Sequence, residues 1–286
     1  MSHQSADGVP VGDATPAPSE DVTDARQPQP ILEVRAIHKQ FGSVVAINRA
    51  DLALHQGEVH SLVGDNGAGK STLLKILAGA QEPDSGEILL DGRPVRISSP
   101  KAARHLGITT VFQDLALINH LDATANLFLG RELFRPAPLS WLGILDKKAM
   151  RRRSVEEVRR LRVGIESVDQ LVMRMSGGQR QAVAVARGVA FGTRIIMLDE
   201  PTAALGPRES AAALELVREL RDAGLAVFMI SHNLPDVFAV ADRITILRLG
   251  QTVKTVRRAD TTLEDIVGTM TGAFVPTATS RMPSDR

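Results

Sequence analysis

Apolar residues along this chain fall into short blocks separated by glycine, proline and charged clusters, and the spacing within the blocks changes along the sequence. Ile31–Ile37, Val44–Leu54 and Glu58–Val63 read as strands, the second alternating in part and the third ending at Gly64. Lys70–Ala78 reads as a helix. Glu87–Leu90 and Val95–Ile97 flank Asp91-Gly92, a hairpin turn signal. Thr109–Phe112 is the next strand, and there the strand signal stops. Residues 114–190 read mainly as helix, including the charged segment Asp146–Val163. Strands return at Arg194–Leu198, Leu225–Ile230 and Arg243–Leu249, with helices between them. Alternation of strand and helix predicts an α/β fold, a mainly parallel sheet with crossover helices, interrupted by a helical subdomain. No internal repeat is evident.

Length and composition narrow this. The 286 residues suit one or two domains. Lys plus Arg is 34 against 33 for Asp plus Glu, which supports neither a strongly basic nucleic-acid binder nor an acidic tail. There is no cysteine, so disulfides, thiolate metal sites and cysteine nucleophiles are excluded. The longest run without a polar side chain, Ala223–Ile230, is far short of a membrane span. The N-terminus lacks the basic start and apolar core of a signal peptide, so a cytoplasmic location is expected. Residues 1–30 hold five prolines and five acids but no Leu, Ile or Phe. Too little apolar surface is available there to offset the entropy of ordering, and a disordered tail is expected. Residues 273–286 look similar.

Chemistry first appears at Gly64-Asp65-Asn66-Gly67-Ala68-Gly69-Lys70-Ser71-Thr72, a match to the phosphate-binding loop pattern between a strand and a helix. Glycines let the backbone curl until successive N–H groups face phosphate oxygens. The helix start adds its positive end. Lys70 supplies a charge for the outer phosphates and Ser71 a hydroxyl for Mg²⁺. A glycine-rich turn matching by chance is the plain alternative, and the flanking elements argue against it.

Ile195-Ile196-Met197-Leu198 is apolar and ends in Asp199-Glu200. A buried strand has no use for adjacent carboxylates unless a cation or a reaction needs them. Beyond the C-terminal end of a parallel strand, Asp199 is expected to face Mg²⁺ and Glu200 the γ-phosphate and its water. A strand simply ending at its solvated edge is the alternative. Met175-Ser176-Gly177-Gly178-Gln179 precedes the helix Gln179–Val189. It is either a second anion site or a capped helix, since Ser is a good N-cap.

Taken in this order, the motifs resemble the ATP-binding subunit of ABC transporters, over roughly residues 31–272. The resemblance implies a P-loop NTPase core with an N-terminal antiparallel β subdomain and a helical subdomain at about 114–190. It implies ATP and Mg²⁺ as ligands. Ser176, Gly177, Gly178 and Gln179 match the family signature, with Met175 in place of Leu. Gln113 matches the glutamine loop that senses Mg²⁺ and the membrane partner, His232 the switch histidine on the γ-phosphate, and Phe41 the aromatic on adenine. The metal set implied is Ser71, Gln113 and Asp199, partly through water; the catalytic set is Glu200, His232 and Lys70. One departure stands out: after Glu200-Pro201-Thr202 the chain reads Ala203-Ala204-Leu205-Gly206, where the family usually has Asp at the last place. Gly64–Lys70, Phe128-Leu129-Gly130-Arg131-Glu132 and Ser231-His232-Asn233 are similar to the sugar-import branch for ribose, xylose and fructose, most of all to its single-cassette fructose-import members.

The resemblance further implies a second cassette packed head to tail, transmembrane permease subunits, and indirectly a periplasmic sugar-binding protein. The place implied is the cytoplasmic side of the inner membrane, with no nucleic acid. Leu133–Leu145, holding Phe134, Trp141 and Ile144, is either a docking surface or a satellite core under a loop. Arg151, Arg152, Arg153, Arg159, Arg160 and Arg162 either meet lipid headgroups or form a solvated helix face. An exporter or non-sugar importer, a soluble ABC ATPase and a non-hydrolysing regulatory module remain as rival readings.

Overall fold

The computed structural model describes residues 29–137, 139–160, 165, 167–203 and 205–273. The two expected tails fall almost wholly outside these residues, as does Arg162.

Ten strands form one sheet: β1 (Leu32–Phe41), β2 (Val44–Leu54), β3 (Val59–Val63), β4 (Ser85–Leu90), β5 (Arg93–Pro94), β6 (Ile108–Val111), β7 (Ile195–Asp199), β8 (Ala226–Ile230), β9 (Arg243–Arg248) and β10 (Gln251–Arg257). Their order is β5-β4-β1-β2-β10-β9-β3-β8-β7-β6. The β5-β4-β1-β2 arm is antiparallel, whereas β9, β3, β8, β7 and β6 run parallel. The helices are α1 (Lys70–Leu77), α2 (Pro100–His105), α3 (Ala123–Phe128), α4 (Lys147–Arg160), α5 (Gly177–Val189), α6 (Pro207–Asp222), α7 (Leu234–Val240) and α8 (Leu263–Thr271).

The parallel strands read as unbroken apolar runs because both their faces are covered. Along β7, Ile195 and Met197 enter one core while Ile196 and Leu198 enter the other. β8 repeats this, with Ala226, Phe228 and Ile230 against Val227 and Met229. The core holding Ile196, Leu198, Val227 and Met229 lies under α5 and α6, and the core holding Ile195, Met197 and Phe228 joins α1 to the antiparallel arm.

Several boundaries differ from the sequence reading. The hairpin turn at Asp91-Gly92 is present, but its second arm is Arg93–Pro94 rather than Val95–Ile97. Pro94 has no N–H to extend the ladder, and only Val95 N–H adds a bond, to Ile88 O (2.8 Å). The strand expected at Thr109–Phe112 is Ile108–Val111, and Phe112 already lies exposed beyond the sheet. β10 carried no sequence signal, because Gln251, Lys254, Thr255 and Arg257 leave it polar on the surface. Residues 114–190 are less helical than expected: α3, α4, α5 and two short 3-10 turns are separated by ordered loops. Asn126, fully buried, accepts from Ile118 N–H (2.8 Å) and donates to Ile118 O (3.1 Å) and Asp122 O (3.0 Å), so a side chain does there what a helix ladder would do. α4 buries Met150, Ser154 and Val158 in one stripe and leaves Arg152, Arg153 and Arg159 exposed, as both readings of this cluster require.

Candidate active site

Parallel register brings four chain segments out at one edge of the sheet. Leu62 and Asp199 both pair with Ile230, and Val111 pairs with Leu198. The segments leaving β3, β8, β7 and β6 therefore emerge side by side: the Gly64–Thr72 loop, Ser231-His232, Glu200 and Gln113. This is the carboxyl edge where α/β sheets bind ligands.

Two glycines of the loop are required by space. A Cβ on Gly64 would lie 2.1 Å from Leu247 O, in the neighbouring β9. Gly69 sits at φ 104°, and a Cβ there would lie 2.6 Å from Ala46 O in β2. The loop is pinned by Ala68 N–H to Asp65 O (3.1 Å) and by Gly250 N–H to Ala68 O (3.0 Å). Because Gly69 brings no side-chain cap, the first N–H groups of α1, at Lys70, Ser71 and Thr72, have no partner within the helix. Asp65, Asn66, Gly67 and Ser71 are exposed, so this row of donors is accessible.

Lys70 is buried and its Nζ donates to Gly64 O (2.6 Å) and Asp65 O (2.9 Å), leaving a third N–H for an anion. Burial lowers its pKa, while Glu200, Asp65 and Asp199 pull it upward. Asp199 is half-buried at the end of β7. Burial raises its pKa first and the Glu200 charge adds to that, against the pull of Lys75 and Lys70. A carboxylate held at such a cost is suited to a cation.

Glu200 has a left-handed backbone, φ 49°, and its N–H donates to Ile230 O (2.9 Å). Such a conformation in a non-glycine residue costs about 1–3 kcal/mol and persists where the surroundings impose it. It directs the side chain to His232, whose Nδ1–H donates to Glu200 Oε1 (2.8 Å). That bond sets the tautomer and leaves Nε2 outward on a side chain 63% exposed. Ser231 Oγ, buried, accepts from Asn233 N–H (3.0 Å) and holds the turn that carries His232.

The remaining candidates lie around this centre. Gln113 is exposed two residues beyond β6. Phe41 ends β1 opposite Val44, in the hairpin whose Ala46 packs on Gly69, and Lys39 Nζ lies 5.4 Å above its ring. Ser176 caps α5: its Oγ accepts from Gln179 N–H (3.2 Å), and Gln179 Oε1 accepts from Ser176 N–H (3.0 Å). Gly177 and Gly178 let this end of α5 approach Leu205 and Glu209, a Cβ on Gly177 falling 2.8 Å from Leu205 Cδ2. Among the described residues no hydrogen bond or ion pair joins Ser176–Gln179 to the Gly64–Thr72 loop of the same chain. Beside it a groove of about 580 Å³ runs between α5 and α6, away from the phosphate loop. Gly206 caps α6 through Gly206 N–H to Glu209 Oε2 (3.1 Å).

Two contributors carried no sequence signal. Leu247 and Gly250 seat the loop from a distant hairpin. Arg187 donates to Ala116 O and Leu115 O (2.7 Å each), fixing the segment behind Gln113. Nothing local in the sequence marks either.

Comparison with known proteins agrees with this geometry. The family model described as ABC transporter matches residues 47–203. A fructose import ATP-binding protein of Rhizobium meliloti is 47% identical over 250 residues, covering 87% of this chain and 96% of that protein. A xylose/arabinose import ATP-binding protein of Sulfolobus acidocaldarius is 44% identical over 241 residues, covering 84% and 94%. A ribose import ATP-binding protein of Yersinia pestis is 42% identical, and the match covers 85% of this chain but 46% of that longer protein. Among solved structures, a Clostridium perfringens component of an ABC transporter complex superposes with a TM-score of 0.70 at 25% identity, covering 87% and 97%. A dimeric ATP-binding cassette bound to ADP and phosphate superposes at 0.64 and 25%, covering 79% and 98%. The chain belongs to the ABC transporter family.

Proposed function

We propose that this chain is the ATP-hydrolysing subunit of a monosaccharide importer, splitting ATP and water into ADP and phosphate to drive permease subunits. The observation that carries the hydrolytic part is the Glu200–His232 pair standing at the same sheet edge as the Lys70 loop. Support for sugar comes from the relatives, whose names span fructose, xylose or arabinose, and ribose. That spread is why no single sugar is chosen.

The loop amides and Lys70 would take the β- and γ-phosphates, and Phe41 the adenine. Mg²⁺ fits the donors present: an accessible Ser71 hydroxyl and the Asp199 carboxylate whose ionised form is destabilised by burial, with Gln113 within the same edge. No cluster of three or more His, Asp or Glu that could hold a metal exists among the described residues, so the phosphates and water would have to complete the ion's shell. When bound, the ion would neutralise charge on the outer phosphates. Glu200 would orient and polarise the attacking water, and His232, carrying a proton on both ring nitrogens, would donate Nε2–H to the γ-phosphate while Nδ1–H stays on Glu200. Ser176–Gln179, unconnected to the loop of its own chain, would close the site from a second copy packed head to tail. ATP carries charge that needs donors from both sides, so binding closes the interface and loss of the γ-phosphate releases it. No helix among the described residues is long and apolar enough to cross a membrane. The relatives' names as import ATP-binding proteins support separate permease subunits for the transport path and a place at the cytoplasmic face of the inner membrane; a periplasmic sugar-binding protein would deliver the cargo.

Phosphate release by the purified chain with Mg²⁺ and ATP, lost in Lys70→Ala, tests the enzyme. Restored uptake of labelled fructose, ribose or xylose in cells given this chain with its permease tests the cargo. A chain that retains no nucleotide on dialysis refutes the whole reading.

A further inference from the structure

A cleft of about 310 Å³ opens where α2, the segment after α3, β6 and α5 meet, and none of its lining residues belongs to the phosphate loop. Its volume lies at the lower end of the roughly 300–1,000 Å³ usual for small-molecule sites. Three arginines from three elements line it: Arg104 in the last turn of α2, Arg131 beyond α3, and Arg187 of α5. Thr110, Leu129 and Phe191 stand around them. Among the described residues no carboxylate lines the cleft.

These cations are held in place without being neutralised. Arg131 N–H donates to Phe128 O (2.8 Å), and its guanidinium lies 4.5 Å over the Phe191 ring. Phe191 in turn meets the buried Phe128 edge to face, 5.5 Å between centroids. Stacking fixes the plane of a guanidinium and leaves the N–H groups at its rim free to donate. Among the described residues no hydrogen bond or ion pair takes the guanidinium of Arg104 or Arg131. Arg187 donates to Ala116 O and Leu115 O (2.7 Å each) and keeps its other donors. Glu132 comes next in sequence to Arg131, but its Oε1 accepts from Gly130 N–H (3.0 Å) and it does not line the cleft. Burial lowers the Arg131 pKa first and the Arg104 charge lowers it further, with no carboxylate opposing them. Burial alone lowers that of Arg187. Partly desolvated cations that repel one another are relieved by an anion placed between them.

We propose that this cleft binds a small phosphate ester, with its dianionic phosphoryl group on Arg104, Arg131 and Arg187 and its carbon skeleton against Leu129. A phosphoryl group suits the site better than a single carboxylate, because several guanidinium forks converge on it and each can pair two oxygens at once. Inorganic phosphate shares that chemistry but would leave the apolar side of the cleft unused. The site requires neither ATP binding nor hydrolysis, so it stands or falls apart from the proposed enzyme.

Calorimetric titration of the whole chain, saturated with Mg²⁺ and ADP so that the phosphate loop is filled, should detect glucose 6-phosphate and not glucose. Lys70→Ala should bind glucose 6-phosphate as the unmodified chain does, which separates the cleft from the loop. Inorganic phosphate is the second probe: weaker binding assigns the ester, and equal binding assigns the free anion to the same arginines. Arg104→Gln with Arg131→Gln should weaken glucose 6-phosphate at least about tenfold, as the loss of hydrogen bonds to charged groups does. Should that variant misfold, the unmodified chain still decides. Glucose 6-phosphate should then shield Arg104 and Arg131 from phenylglyoxal, read by peptide mass. Overturning results are no binding, equal binding of glucose, displacement by ADP, or binding undiminished in the double variant. A polyglutamate peptide bound where no phosphate ester binds would also overturn it, giving the cleft to a protein partner.

Discussion

Replacing Glu200 by Gln separates binding from chemistry. The two side chains match in shape, and a glutamine Oε1 can still accept the 2.8 Å bond from His232 Nδ1–H. The turn should hold as well, because Glu200 is kept in place by its backbone bond to Ile230 O. What disappears is the negative charge proposed to polarise water. A positioned base contributes typically about 10²–10⁴ in rate, so kcat should fall at least about a hundredfold, roughly 2.7 kcal/mol or more in barrier. Nucleotide affinity should stay level or rise, since one carboxylate fewer faces the triphosphate. The assay pairs phosphate release with equilibrium dialysis of nucleotide, on the same protein. Normal turnover would remove Glu200 from the role assigned to it. Loss of binding in step with turnover would mean that the carboxylate holds the loop and does not act on water.

Other substitutions test the geometry behind the site. Gly64→Ala drives a Cβ to 2.1 Å from the Leu247 carbonyl in a strand held on both sides, so it should abolish nucleotide retention and lower thermal stability sharply. Gly67→Ala meets open space at φ 81° and should cost only about 1–2 kcal/mol by urea unfolding. Gly177→Ala meets the flexible end of Leu205, so the fold should survive by circular dichroism while ATPase activity falls at concentrations where the unmodified chain is active. His60 supplies a pH test. It is fully buried, its Nδ1–H donates to Ala53 O and its Nε2 accepts from Thr245, and burial with Arg243 nearby holds its pKa at about 3. The folded pKa lies below the unfolded value of about 6.5, so the stabilising neutral form is complete above pH 6.5 and stability is lost as pH falls toward 3. His60→Gln should flatten the pH dependence of urea stability between pH 6 and 5 by about 1.4 kcal/mol per pH unit, and an unchanged slope would show that His60 does not titrate there.

How far the sequence alone could reach depended on whether a feature is local. The phosphate loop, the Asp199-Glu200 strand end and the Ser176 cap each occupy a few consecutive residues, and each obeys a rule of backbone space or charge that can be read in place. The buried strands were legible for the same reason, since two covered faces leave an unbroken apolar run. β10 escaped because its pairing partners, β9 and β2, and not its side chains, make it a strand. The loops within 114–122 escaped because one buried amide, Asn126, replaces a helix ladder.

The same distinction explains the one relation that no single motif could carry. α5 begins at the Ser176 cap and, near its other end, Arg187 grips the carbonyls of Leu115 and Ala116 behind Gln113. Arg187 is desolvated there, which lowers its pKa, so its two charged hydrogen bonds are strong and costly to break. A helix of this length transmits displacement along its axis because its ladder is stiffer than either loop it joins. Through α5, the turn at Ser176 and the segment following Gln113, 63 residues apart in sequence, are joined by these two bonds. The join is a side chain gripping backbone carbonyls, an interaction for which neither residue spacing nor hydrophobic pattern leaves a trace.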